Sequence, residues 1–350
     1  MARKPEGELR RGWTTGACAT AAVKAALDAL WGGGFPDEVT ITLPKGETPV
    51  FPLALTESGS DWVRVGITKD AGDDPDVTHG ALIVVKVKEE GQGITYLAGD
   101  GVGIVTKPGL PLAVGEPAIN PKPREMIEAE IQAQARRFAR EPNVSVEISI
   151  PGGAEIAKKT WNGRLGIKGG LSILGTTGVV RPFSCAAWIA SIHRGIDVAR
   201  ADGLSHVAGC TGATSEATVQ KLFSLPDHAM LDMGDFAGGL LKYLARHPID
   251  RITIGGGIGK MTKLAQGAID LHSGRSQVDF GLLADWADAL DCPSVADANT
   301  ALEAFEIAGP KLAQDIAQRA QKAARKIAGD KIAVDTIVID RAGQIIGRAK

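Results

Sequence analysis

Several features are scarce in this sequence of 350 residues, and each scarcity excludes a class of protein. The four cysteines are far apart and form no Cys-x-x-Cys pair, which argues against a zinc ribbon and against a secreted disulfide framework. No apolar run approaches the ~18 residues of a membrane-spanning helix. The formal net charge is −2, so no excess of positive charge would attract a polyanion. We therefore expect neither nucleic acid nor a membrane as a partner.

Familiar catalytic motifs are also missing. The six histidines form no His-Glu-x-x-His pair, so we expect no protein-bound metal. The chain contains no Gly-x-Ser-x-Gly elbow and no recognisable catalytic pairing of a cysteine with a histidine, so nucleophilic hydrolysis has no support. Residues 1–11 are polar and basic, and no apolar signal segment follows them. We expect a cytoplasmic enzyme.

The length and the order of the patterns predict two domains, with α/β and α+β character. In residues 1–150, short strands outnumber helices, which indicates a mixed sheet with helices. A Pro-Gly-Gly junction follows at Pro151. In residues 151–350, strands alternate with helices, which predicts βαβ units and a parallel sheet with glycine-rich turns.

The densest polar stretch is residues 69–80, KDAGDDPDVTHG, which we call the acidic loop. It contains four aspartates, a lysine and a histidine between two predicted strands at 61–68 and 81–87. Two interpretations stay open. Asp, Gly and Pro are turn formers, so the loop could be a solvated turn. Four clustered carboxylates repel one another, which instead favours a functional loop.

Two further stretches offer polar groups. Thr14, Thr15 and Gly16 precede an alanine-rich helix, where they can cap the helix or help to form an anion site. Residues 106–124 are too proline-rich for regular structure, and we expect an ordered loop. Its polar side chains are Lys107, Asn120, Lys122 and Arg124.

Three Gly/Thr-rich turns, at Gly175, Gly209 and Gly255, follow predicted strands of the second half. Because ligands bind at the carboxyl ends of parallel strands, we expect these turns to line one crevice. The turn at residues 255–260 fits neither the P-loop nor the dinucleotide fingerprint. Its glycines would still let a nucleoside with a charged tail approach the backbone, although tight helix–strand packing alone also uses glycine.

Taken together, these stretches resemble one family. The strings are WTTGACA (13–19), KDAGDDPDVTHG (69–80), GVGIVTKPGL (101–110), PAINP (117–121), GLSILGTTG (170–178) and GGGIGK (255–260). They resemble, in the same order, the CbiD family of cobalamin biosynthesis proteins, the cobalt-precorrin-5B C(1)-methyltransferases. The likeness runs from Gly12 to Ser273, departs from the family pattern at Lys122 and Cys210, and is loose beyond Ser273.

The resemblance implies methyl transfer from S-adenosylmethionine to carbon 1 of cobalt-precorrin-5B, giving cobalt-precorrin-6A, in the oxygen-independent route to cobalamin. Cobalt would belong to the tetrapyrrole substrate. Residues 1–150 would bind the tetrapyrrole, and residues 151–350 would bind the methyl donor. A homo-oligomer and transient contact with neighbouring pathway enzymes stay open.

We combine the resemblance with the residue chemistry to predict three groups of site residues. The donor-binding group is Gly175, Thr176, Thr177, Gly255, Gly256, Gly257 and Gly259. The group that binds substrate carboxylates is Thr14, Thr15, Lys107, Asn120 and Arg124. The catalytic group is Asp73 and Asp74, presented by a turn at Gly72 and Pro75, with His79 as a weaker proton acceptor.

Two alternatives remain. Asp70, Asp73, Asp74 and Asp76 could hold a divalent metal in a hydrolase or phosphoryl-transfer enzyme. The chain could also be a corrinoid carrier that performs no chemistry.

Overall fold

The computed structural model describes residues 7–350, so part of the N-terminal stretch interpreted above lies outside the described residues. The chain divides into two compact units, the first ending at Ser184 and the second spanning Cys185–Lys350. The first unit contains β1 (Gly12–Trp13), α1 (Thr15–Gly32), β2 (Glu38–Thr40), β3 (Val50–Pro52), β4 (Leu55–Ser58), β5 (Trp62–Thr68), β6 (Leu82–Glu89), β7 (Ile94–Ala98), β8 (Ile104–Val105), α2 (Pro121–Phe138), β9 (Val144–Ser149), α3 (Gly153–Ala157), β10 (Ile167–Lys168) and β11 (Val179–Val180).

The first unit is organised around a five-stranded mixed sheet with the order β4-β5-β6-β9-β7. Only β7 and β9 pair in parallel, and the other neighbours are antiparallel. Helix α1 packs on β5, β6 and α2. It is buried over most of its length, from Thr15 to Val23 without a break. Its alanines allow this because a small side chain lets neighbouring elements approach from several sides.

The boundary between the units differs from the expected junction after residue 150. Residues 151–184 belong to the first unit because their backbone pairs with earlier segments. Val102 bridges Leu171, and Ile119 bridges Ile173. β11 also pairs with β1, and β10 pairs with β8. The sequence junction at Pro151 is therefore a local turn between β9 and α3.

The second unit contains α4 (Cys185–Ala201), β12 (His206–Cys210), α5 (Ala213–Phe223), a 3-10 turn (Asp227–Ala229), α6 (Ala237–Arg246), β13 (Arg251–Gly257), α7 (Ile258–Ala265), α8 (Phe280–Asp288), α9 (Ala301–Ala308), α10 (Pro310–Ala328), β14 (Ala333–Ile339) and β15 (Ile345–Ala349). Its sheet has the order β12-β13-β14-β15. The first three strands are parallel and β15 is antiparallel. Helix α10 packs against β14 and β15, with most of its alanines in the core.

The expected fold class, a mixed first sheet and a βαβ-type second sheet, is confirmed. Four local expectations differ. Gly255, Gly256 and Gly257 lie in β13, where they pair with β14, so the strand ends later than expected. Residues 228–233, whose apolar pattern predicts a strand, begin within the 3-10 turn Asp227–Ala229 and include a bridge from Met230 to Ala208. The segment 171–174 makes isolated bridges only.

The fourth difference concerns the proline-rich loop. Its last residues, from Pro121, form the first turn of α2. Proline is tolerated there because the first helical N–H groups have no partner within the helix. None of the described helices is both long and apolar enough to cross a lipid bilayer.

Candidate active site

In the first unit, the segment before α1 joins the acidic loop to residues 174–183. Trp13 N donates to Asp70 O at 2.7 Å, and Thr14 N donates to Gly178 O at 2.9 Å. Gly12 lies so close to the acidic loop that a Cβ there would meet the Ala71 carbonyl carbon at 2.0 Å. Three of the stretches singled out in the sequence therefore meet at the start of α1. We call the acidic loop, residues 10–16 and residues 174–183 the first-unit site.

Arg10 holds two aspartates of the acidic loop. Its guanidinium makes a bidentate pair with Asp70, and its backbone N donates to Asp73 Oδ2 at 2.6 Å. The hydrogen bond from Arg10 holds the pKa of Asp70 at about 2, against a smaller opposing effect of burial. Gly72 has φ +67°, and a Cβ there would meet Arg10 O at 2.2 Å, so glycine is required for this close approach.

Lys69 is the buried charged residue of the loop, with 1% of its surface exposed. Its Nζ lies 2.5 Å from Asp76 Oδ2, while Asp76 Oδ1 accepts from the Thr78 N and Oγ1. Burial disfavours the charged form of Asp76, but the Lys69 ion pair and the Thr78 hydrogen bonds outweigh it and hold its pKa below the usual value. Asp76 thus fixes the loop from inside.

Asp74 is half-buried, and its Oδ1 accepts from Phe183 N at 2.8 Å. Within residues 7–350, no donor contacts its Oδ2. Burial raises the pKa of Asp74, and the charge of Asp76 adds to the effect. Repulsion among the clustered aspartates therefore contributes to the raised pKa, but desolvation is the larger cause. Asp73, by contrast, is exposed.

His79 is 52% exposed, and its Nδ1 accepts from Ala71 N at 3.1 Å. In a neutral ring with Nδ1 as acceptor, the proton sits on Nε2. The ring then has no free lone pair for a substrate proton. This contact weakens the prediction that His79 accepts the proton.

Thr14 and Thr15 lie at the N-terminus of α1, where Thr14 is the N-cap and Thr15 the first helical residue. Thr14 Oγ1 caps the helix by accepting from Ala17 N at 3.2 Å, and Thr15 is buried. Gly175 faces Thr14 so closely that a Cβ would meet its Oγ1 at 2.2 Å. Thr176 is exposed, and Thr177 hydrogen-bonds within its own turn to Val179.

This position corrects the expectation that Gly175, Thr176 and Thr177 follow a strand of the parallel sheet that contains Gly255. They do not follow a strand of the second unit's sheet. They lie in the first unit, because the segment ends in β11 and β11 pairs with β1.

The remaining predicted substrate contacts lie around α2 and β8. Asn120 precedes α2 and donates through Nδ2 to Ile173 O at 3.2 Å. The Arg124 guanidinium donates to Ile119 O and to Glu116 Oε2, both at 2.9 Å. Lys107 follows β8, and its side chain covers Gly166. The positive charge of Arg124 is therefore already paired.

The second unit contains a cavity of about 460 Å³, within the range of about 300–1,000 Å³ typical of small-molecule sites. We call it the second-unit cavity. Its walls come from the segments that follow β12, β13 and β14, together with the start of α9 and part of β15. The lining residues are Thr211, Gly212, Ala213, Thr214, Ser215, Gly257, Ile258, Gly259, Lys260, Thr300, Ala301, Leu302, Ile339, Asp340, Arg341 and Ile346.

The four glycines predicted to bind the donor here divide into two pairs. A Cβ on Gly255 would meet Val219 Cγ2 at 2.7 Å, and one on Gly256 would meet Thr211 Oγ1 at 2.7 Å. These two glycines permit tight packing. Gly257 and Gly259 have no other atom closer than 4.0 Å to such a Cβ, and both line the cavity.

The charged groups of the cavity were missed in the sequence, apart from Lys260. Lys260 Nζ forms an ion pair with Asp235 at 2.8 Å and donates a hydrogen bond to Thr211 O at 3.0 Å. Arg341 is exposed and has no ion-pair partner within the described part of the chain. Asp340 directly follows β14. The available signal was an aspartate directly after the apolar run at 332–339, but at a hairpin such a residue is typical of a turn.

The aspartates of the acidic loop have separate partners: Arg10, Phe183 and Lys69. In residues 7–350, no group of three or more His, Cys, Asp or Glu side chains is placed to hold a metal ion. The metal-dependent alternative thus gains no support from the arrangement of the loop.

A two-domain α/β protein with a polar loop cluster and a separate nucleoside-sized cavity fits an enzyme of small-molecule group transfer. Comparison with known proteins points to one family. A family model described as CbiD matches residues 2–182, and one described as CbiD, C-terminal domain, matches residues 270–350, where the sequence likeness had been loose.

Similar proteins were found among curated and solved ones. A protein from Paramagnetospirillum magneticum, named cobalt-precorrin-5B C(1)-methyltransferase, is 59% identical over 98% of this chain and 99% of its own length. One of the same name from Brucella anthropi is 57% identical over 98% of this chain and 96% of its length. A crystal structure of a cobalamin biosynthesis protein from Archaeoglobus fulgidus is 28% identical, covering 77% of this chain and 84% of that chain, with a TM-score of 0.42. The chain belongs to the CbiD family.

Proposed function

We propose that the protein is a cobalt-precorrin-5B C(1)-methyltransferase that uses S-adenosylmethionine as methyl donor and forms cobalt-precorrin-6A. The observation that carries the proposal is the near-full-length identity of 56–59% with relatives of that name. Cobalt is then part of the substrate. A cytoplasmic location, a homo-oligomer and transient contact with neighbouring pathway enzymes belong to the same proposal.

The second-unit cavity is the proposed donor site. Its volume suits a nucleoside with a short tail, and Gly257 and Gly259 leave the backbone accessible to a ligand. Ile258, Leu302 and Ile346 supply apolar surface for a base. Gly255 and Gly256 allow close packing behind the cavity wall and do not contact the donor. S-adenosylmethionine supplies the methyl group when it is bound.

The first-unit site is the proposed place of the tetrapyrrole. The carboxylates of the tetrapyrrole would meet polar groups at the start of α1, at the start of α2 and just after β8. These are Thr14, Asn120, Arg124 and Lys107, whereas Thr15 is buried and would support Thr14 from behind. Arg124 would exchange Glu116, which accepts one hydrogen bond from it, for a substrate carboxylate, because a guanidinium can bind either carboxylate. We assign Gly175, Thr176 and Thr177 to this proposed tetrapyrrole site rather than to the donor site.

Asp74 is the proposed general base. Attack by a ring carbon on a methyl group makes the macrocycle more positive, and a proton must then leave it. Phe183 N orients one oxygen of Asp74, and the other oxygen is open to accept that proton. Burial moves its pKa upward, toward a more useful range for proton transfer. Asp73, exposed at the same turn, would stabilise the developing positive charge.

A labelled-methyl assay tests the function. The purified chain is incubated with cobalt-precorrin-5B and S-adenosylmethionine carrying a ¹³C methyl group. We expect a mass gain of one labelled methyl and a new carbon signal at C1, with S-adenosylhomocysteine formed in equal amount. Unmethylated tetrapyrrole that stays bound to the protein would instead favour the carrier hypothesis.

A further inference from the structure

One acidic residue of the second-unit cavity has no role in the function proposed above. Asp340 directly follows β14, and the last residue of that strand, Ile339, pairs with Gly257 of β13. Asp340 and Gly257 therefore stand at the carboxyl ends of adjacent parallel strands, and both line the cavity. In doubly wound folds, an acidic residue beyond the glycine turn binds the ribose hydroxyls of a nucleotide.

The two carboxylate oxygens of Asp340 have different surroundings. Oδ1 accepts from Ala342 N at 2.9 Å and from Gln344 N at 2.8 Å, which fixes the hairpin between β14 and β15. No donor within the described residues contacts Oδ2. The hairpin thus uses one oxygen and leaves the other available to a ligand in the cavity.

The chemistry of the cavity selects among ligand groups. A free carboxylate oxygen accepts hydrogen bonds and repels anions, so it suits neither a phosphate nor the donor's own carboxylate. A vicinal diol offers two O–H donors and no charge. The neighbouring cation, Arg341, is exposed and suits the carboxylate end of the same ligand.

We propose that Asp340 binds the ribose diol of the nucleoside held in the second-unit cavity and so makes the site selective for ribonucleosides. This inference rests on the proposed function only in that the nucleoside is the adenosyl group of the methyl donor. Asp340 is a specificity residue. It takes no part in the methyl transfer itself.

Isothermal titration of the full chain tests the assignment, with S-adenosylhomocysteine and its 2′,3′-dideoxy analogue as the two probes. In Asp340→Asn, an amide oxygen can still accept from Ala342 and Gln344, so the hairpin is retained while the second acceptor becomes a donor. We expect about a tenfold or larger loss of S-adenosylhomocysteine affinity, as for a hydrogen bond to a charged group. The affinity of Asp340→Asn for the dideoxy analogue should equal that of the parent.

Asp330→Asn is the matched control, because it removes the same charge from a side chain that is 91% exposed and outside the cavity. It should bind both probes as the parent does. The unaltered parent protein gives a second readout. It should bind the dideoxy analogue about tenfold more weakly than S-adenosylhomocysteine.

Three results would overturn the assignment. Equal affinity of parent and Asp340→Asn for S-adenosylhomocysteine would leave the donor site intact and remove only the ribose contact. An equal loss for both probes would mean that Asp340 acts through the hairpin. If the parent did not bind S-adenosylhomocysteine at all, the donor proposal would fail together with this one.

Discussion

Lys69 Nζ lies 2.5 Å from Asp76 Oδ2, and this pair anchors the acidic loop from its buried side. Lys69 is almost fully buried, and 24% of the Asp76 side chain is exposed. A buried ammonium is costly unless it is paired, so this ion pair decides how the loop is held. The other aspartates are then presented by a fixed turn.

Lys69→Met should destabilise the protein by about 3 kcal/mol, the lower end for breaking a buried ion pair, because Asp76 is partly solvated. Methionine keeps the apolar stem, so the loss reports the charge rather than the volume. Urea unfolding measures the change.

The double variant Lys69→Met, Asp76→Asn is the control. The introduced asparagine would carry no charge, and its amide oxygen could still accept from Thr78, so stability should recover in part. If the double variant is as unstable as the single one, lost packing around Lys69 is the cause.

The second-unit glycines give a matched pair of substitutions. Gly257→Val should fold normally, because its φ of −69° suits any residue and the space beyond its Cβ is open. The valine would fill part of the cavity and should raise the dissociation constant of S-adenosylhomocysteine about tenfold or more. Titration calorimetry measures the affinity.

Gly255→Ala should show the opposite behaviour. Its Cβ would meet Val219 at 2.7 Å and Cys210 Sγ at 3.1 Å, so we expect a loss of about 1–3 kcal/mol of stability from overpacking. Thermal unfolding checks this. A Gly257→Val protein with unchanged affinity for S-adenosylhomocysteine would place the donor elsewhere. A Gly255→Ala protein as stable as the parent would contradict the packing role of Gly255.

Helices and strands whose formation depends on the local sequence pattern were predicted correctly. The alanine-rich run gives α1, and the alternation at 61–68 gives β5. Gly255–Gly257 were assigned to a turn because glycine has a low strand propensity. Pairing of these residues with β14 overrides that preference, and no local signal reveals it.

Long-range contacts explain the other differences. The turn at Gly175 follows an apolar run and looks like the turns of the second sheet. Its true neighbours, Thr14 and Gly16, are far away in sequence and become adjacent only through long-range pairing such as that of β1 with β11. Asp74 was predicted as a site residue, but its partner Phe183 belongs to a segment with no recognisable motif.

Arg124 and Glu116 test how the tetrapyrrole would be held. Arg124→Ala should weaken tetrapyrrole binding and reduce its salt dependence, because one ionic contact is removed. Glu116→Gln should strengthen binding, because it leaves Arg124 with a neutral neighbour and makes its charge available to the substrate. Affinity is measured by absorbance titration at several salt concentrations.

Arg124→Ala also removes hydrogen bonds to backbone carbonyls, so about 1 kcal/mol of stability should be lost. Thermal unfolding of both variants separates the two effects. A change in stability without any change in tetrapyrrole affinity in either variant would make Arg124 a structural residue.

Asp74→Asn tests the chemical step. Asparagine keeps an oxygen for Phe183 N, so the loop should stay in place, while the proton acceptor is lost. The single-turnover methylation rate should fall about 100-fold, the lower end for general base catalysis, with little change in donor or tetrapyrrole binding. Because burial disfavours the Asp74 anion, the variant should be at least as stable as the parent.

The pH dependence supplies an independent readout of the same residue. A general base must be deprotonated, and burial raises the pKa of Asp74 above that of an ordinary carboxyl group. The parent rate should therefore fall as pH falls through this raised pKa, before exposed carboxylates are protonated. Asp74→Asn should lose this limb of the profile, whereas Asp73→Asn, altered at the exposed neighbour, should retain it. The acidic loop would be only a structural turn if Asp74→Asn methylated at the rate of the parent. The same would follow if its rate fell at low pH just as the parent rate does.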